Sequence, residues 1–121
     1  MIEHKSFKAS GAVAAFLILK FGASEGTVTV ATSATDLLIG TADGLDKADG
    51  EMVDVDLRPM PEVKLGAAVT RGQLLTANAA GKAVPAAPAA GANVAVIGRA
   101  ARSGAADDVI PYLRGLGTTQ G

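Results

Sequence analysis

The spacing of glycine and proline constrains this chain more than any other feature. Fifteen glycines and five prolines are spread over 121 residues and cut the apolar sequence into short runs. Proline removes a backbone donor and glycine weakens a helix, so nothing beyond a helical turn or two fits, the best place being residues 34–38. Short strands joined by tight turns fit throughout. The clearest is residues 51–58, where Val53, Val55 and Leu57 alternate with Asp54, Asp56 and Arg58 before Pro59 and Pro61 end the run. Residues 27–32 alternate likewise, Val28 and Val30 inward and Thr27 and Thr29 outward. Residues 12–21 place Phe16, Ile18 and Lys20 on one face and Leu17, Leu19 and Phe21 on the other, the pattern of one long strand buried on both sides. Further strands are expected at 37–40, 62–65, 94–101 and 108–114, with Pro111 making the last an edge or bulge strand. Turns fall at 23–26, 78–82 and 103–107, and residues 85–91 read as a surface crossing.

About seven or eight short strands, with turn signals every 8 to 12 residues, predict an all-β fold, a small barrel or sandwich. Its parts are an extended N-terminal arm over residues 1–10, a β domain over 11–114 and a flexible tail over 115–121. The polar arm carries few structure signals, so its removal is expected to leave a folded domain. The apolar run from Ala12 to Leu19 is far short of the ~20 residues that span a bilayer. Glu3 and Lys20 also spoil it as an export signal.

Composition excludes several function classes. Apolar residues are 49% of the chain, but 25 of them are alanine, so the core is thin and stability from a shared surface is expected. A net charge of −1 gives no basic face for nucleic acid. With 3% aromatics and no tryptophan there is no stacking platform for bases. The absence of cysteine removes disulfides, zinc–thiolate sites and thiol nucleophiles.

Candidate chemistry is sparse. The single histidine, His4, lies in the arm with no rigid partner, so no triad is expected and the chain reads as a non-enzyme. Asp54 with Asp56 reads as a solvated strand face, and Asp107 with Asp108 sits at a turn. Asp43, Asp46, Asp49 and Glu51 are spaced by three where a calcium loop needs ligands at every second position, so no metal site is expected. Asp46-Lys47-Ala48 matches the tripeptide around the modified lysine of lipoyl domains, which makes a carrier role for Lys47 a lesser alternative; no cofactor is otherwise expected. Arg71, Arg99, Arg102 and Arg114 fall on strands expected to be neighbours and form a candidate interface.

The second half carries a resemblance. Arg71-Gly72-Gln73-Leu74-Leu75-Thr76-Ala77-Asn78, then Ala80-Gly81-Lys82-Ala83-Val84, then Val96-Ile97-Gly98-Arg99-Ala100 and Ala106-Asp107-Asp108-Val109-Ile110 resemble the capsid decoration, or cement, proteins of tailed phages. The likeness runs over about residues 12–113. Asp107 stands where that family usually has glycine, and Pro111 interrupts the last strand. The resemblance implies a virion protein, made in the host cytoplasm, that sits on the outer capsid surface, bridges major capsid protein subunits and often forms a trimer. It brings no catalytic residues. On this reading the arm contacts the shell through Ile2, Glu3, His4, Lys5, Phe7 and Lys8, and neither nucleic acid nor membrane is a partner. A tail or baseplate β module is the alternative within phage structural proteins.

Overall fold

A computed structural model describes residues 4–88 and 90–120, with only the backbone described at His4. Ten strands follow one another: β1 His4–Ala9, β2 Ile18–Phe21, β3 Thr27–Val30, β4 Leu38–Ala42, β5 Met52–Asp56, β6 Glu62–Lys64, β7 Leu74–Ala77, β8 Ala83–Pro85, β9 Asn93–Ala100 and β10 Val109–Gln120. The fold is all-β, as expected, with more strands among the described residues than the spacing indicated. The first five close into a barrel in the order β1-β3-β2-β4-β5, and the other five form a sheet in the order β6-β10-β9-β7-β8.

Small side chains make so narrow a barrel possible. Its interior holds Ala9, Val13, Leu19, Val28, Ile39, Ala42, Val53 and Val55, and only residues of about this size fill a five-stranded barrel without strain. The strands' other faces build the second core. Ile18, Ala31 and Leu38 leave the barrel wall to join Val63, Leu65, Leu75, Ile97, Ile110 and Tyr112 of the sheet. Successive residues of a strand point to opposite sides, which is why Ile18 and Leu19 are both fully buried. Polar bonds lock the two halves together. Ile18 N donates to Gly81 O at 2.7 Å, and Lys64 N donates to Phe16 O at 3.0 Å. The buried hydroxyls of Thr41 and Tyr112 meet at 3.1 Å.

Several expectations change. The N-terminal segment is no arm from residue 4 onward: β1 pairs with β5 over His4↔Asp56 to Lys8↔Met52 and with β3 at Lys8↔Thr27. Strand pairing is a backbone matter, so the polar sequence His-Lys-Ser-Phe-Lys is free to close a barrel. The C-terminal segment is not a loose tail either, because β10 runs to Gln120 and pairs with β9 across a bulge between Arg114 and Gly117. The long strand expected at 12–21 shrinks to β2. Phe16 lies at φ 63, outside strand geometry, and Asp46 Oδ1 accepts from Ala15 N at 2.8 Å. Asp56 is not solvated surface: it is 4% exposed, and its carboxylate accepts from Arg58 Nε at 2.9 Å, Nη2 at 2.5 Å and the backbone N at 3.1 Å. Pro111 fits because β10 turns that residue toward the end of β9, where its carbonyl accepts from Ala101 N at 3.1 Å. The missing N–H falls where β9 is already turning away.

Candidate functional site

The four arginines do not form one patch. Arg71, Arg99 and Arg102 meet at one corner of the sheet. Arg71 N donates to Ser103 Oγ at 2.9 Å, and Arg99 Nη1 donates to Gly72 O at 2.9 Å, so the 70–73 and 101–103 turns lie side by side. All three side chains are exposed. Arg114 lies elsewhere, half-buried, with Nη2 donating to Ile39 O of the barrel at 2.8 Å.

Of the six N-terminal candidates, Ile2 and Glu3 lie outside the described residues, and for His4 only pairing with Asp56 is described. Lys5 and Lys8 are exposed on β1, while Phe7 is half-buried against the barrel core. The acidic loop at 43–51 is structural. Asp49 Oδ1 accepts from Gly11 N at 2.7 Å, Asp46 Oδ1 from Ala15 N, Asp43 Oδ1 from Leu45 N at 3.3 Å and Glu51 Oε1 from Ala48 N at 2.6 Å. Short acidic side chains capping nearby amides are a turn-building device. Among the described residues no cluster of potential ligands could hold a metal. Lys47 stands midway along the β4–β5 connection with its backbone bonded both ways to Val13, at 2.9 and 2.8 Å. It is held down where a carrier lysine needs a projecting tip.

The surface feature that sequence reasoning missed is an apolar groove of about 350 Å³ at the end of the barrel away from that loop. Phe21, Leu37, Leu57 and Leu116 line it, with Phe7 at its base and Lys5 and Arg114 among its walls. Leu37 is 71% exposed and Phe21 54%. Leu37 is presented by a rigid turn: Asp36 Oδ2 accepts from Thr32 N at 2.9 Å and Ser33 N at 3.1 Å. Its carboxyl is held below the usual range, first by the Thr32 amide and then by Lys20, which lies 3.3 Å away. A second groove, of about 460 Å³, shares Leu37, Leu38 and Leu116 and runs on between that turn and the β9–β10 ribbon. The lining comes from strands far apart in sequence, so no local motif marks it. The nearest signal was the Leu37-Leu38-Ile39 run, one leucine more than a core strand needs.

The chain matches the family model for the phage cement protein over residues 3–115. It belongs to the phage cement protein family. This makes it a structural protein of a phage virion. Among solved structures it is similar to the N base of the head fibre gp8.5 of bacteriophage phi29, with a TM-score of 0.69, 18% identity and 95% of each chain covered, a likeness of fold. No curated protein sequence matches.

Proposed function

We propose that this cement-family protein decorates the outer surface of a phage capsid as a trimer and stabilises the shell by bridging major capsid protein subunits. The family match over residues 3–115 carries the reading. Two surface features support it. The exposed leucines and Phe21 of the groove form an apolar patch of the kind that marks a protein contact. The corner of Arg71, Arg99 and Arg102 offers the residue type enriched at such contacts. Lys5 and Lys8 of β1 provide charged contacts to the shell; Ile2, Glu3 and His4 are proposed beside them, and Phe7 chiefly supports the barrel.

The mechanism is a clamp. Packaged DNA pushes the shell outward, and a protein attached to several subunits must lose several contacts before they part. Each contact after the first is intramolecular, so weak contacts add to a strong whole. A closed ring of three suits this task, since open head-to-tail contacts would make fibres. The test is the temperature at which DNA-filled heads lacking the protein release DNA. Adding the protein is expected to raise it, with a scattering mass of three chains. An unchanged release temperature overturns the clamp. Recovery on tails instead of heads would favour a tail or baseplate module.

A further inference from the structure

The contact with the shell can be placed more closely, on the basis of the capsid-decoration reading. Up to Arg114, β10 is paired on both sides, and Arg114 N still finds Pro59 O at 2.9 Å. Beyond the bulge, residues 117–120 pair, among the described residues, with β9 alone. The direction of the unused groups comes from the register. Ala95 N donates away from β10, to Ala34 O at 2.8 Å. Its opposite residue, Thr118, therefore also turns its N–H and C=O away from β9. By alternation Gln120 does the same. These groups face outward along an edge whose sequence, Gly-Leu-Gly-Thr-Thr-Gln, has no charge and no proline. Proteins guard exposed edges with both, so this edge is built as one that pairs.

The groove lies beside the same edge and shares Leu116 with it. Among the described residues its lining carries two cations, Lys5 and Arg114, and no carboxylate. The Arg114 guanidinium makes one bond among the described residues, to Ile39 O, and its buried Nε has no acceptor. We propose that this edge and groove take an extended segment of a coat subunit, added as a strand against residues 117–120. Its apolar side chains fill the space between Phe21, Leu37, Leu57 and Leu116, and a carboxylate meets Lys5 and Arg114. Main-chain bonds supply affinity in such an addition, and alternate side chains in a groove supply specificity. A second copy is a poor occupant. Its exposed apolar residues outside the groove with an acid one or two positions away are Leu45, in a loop pinned by its own carboxylates, Met52, in a strand paired on both sides, and Met60, between two prolines. None is a free strand.

The experiment uses the full chain and expanded shells of its own phage stripped of this protein, with binding read by sedimentation. Thr118→Pro removes an outward donor that β9 does not use. Leu37→Glu puts a charge into the groove at an exposed site. Leu45→Glu makes the same change at the other end of the barrel. With thermal midpoints unchanged, the first two are expected to weaken binding at least tenfold and the third less than twofold. A photo-crosslinking residue at Leu116 is expected to capture a coat segment bearing Asp or Glu. If the wild type binds and both groove variants bind equally well, the placement is overturned while decoration stands. Crosslinks to a second copy, or to residues 1–3 of this chain, overturn the placement too. If the wild type itself fails to bind, the decoration reading falls and takes the placement with it.

Discussion

Glycine and aspartate at two positions show how single residues fix the local backbone. Gly98, the glycine of Val96-Ile97-Gly98, lies at φ 145, and a Cβ there would run into Leu113 O. A backbone oxygen held in the β9–β10 ladder cannot retreat. Gly98→Ala is therefore expected to cost about 3 kcal/mol in chemical denaturation; a cost within experimental error would refute this reading. Asp107 lies at φ 69, a left-handed conformation that aspartate tolerates better than most residues. Lys82 reaches its carboxylate at 2.7 Å and holds it below the ordinary range. Tyr112 is the most consequential side chain between the two cores. Burial pushes its phenol up to about 12, against an ordinary value of 10.0. Between those values an unfolded chain has lost the proton that the native state keeps, so stability falls as pH rises from 10 to 12. The loss amounts to about 2 to 3 kcal/mol. Tyr112→Phe strands the Thr41 hydroxyl and is expected to cost about 1 to 2 kcal/mol at pH 7. It also abolishes the alkaline loss, so the variant's disadvantage shrinks or reverses by pH 12. Parallel pH curves for the two proteins would contradict the buried phenol.

At the scale of elements, the sequence was legible wherever one face of a strand meets a core. Val53 and Val55 are buried as their alternation requires, and the turn containing Gly81 falls where expected at φ 75. It was illegible where pairing is made by backbone alone. β1 offers only Phe7 and Ala9 to the barrel interior, and its partner β5 lies more than forty residues away. The end of β10 has too few large side chains to show a period, yet its backbone is in register with β9. Phe16 hid a break inside an apolar run, because its φ is set by tertiary contacts. The expectation for the N terminus reverses accordingly. Deleting residues 1–9 removes the strand that closes the barrel, leaving edges of β3 and β5 unpaired. The truncated chain is expected to lose cooperative thermal unfolding; a sharp transition near the wild-type midpoint would show that β1 is dispensable.

For the whole molecule, an alanine-rich composition that looked thin for one core proves suited to two small ones, a barrel filled mostly by alanine and valine with Leu19 and Ile39, and a sheet packed on its wall. What composition conveyed was the sparse chemistry and the surface left over. The groove went unread because it exists only once β1, β2, β4, β5 and β10 are brought together. The grooved face and the arginine corner are separate, as the proposed attachment of a trimer to a shell requires. Electron microscopy of expanded empty shells mixed with the purified protein tests that claim most directly. Three-lobed density on the outer surface, each lobe touching more than one coat subunit, is the expected result. Bare shells, or single lobes each resting on one subunit, would contradict it.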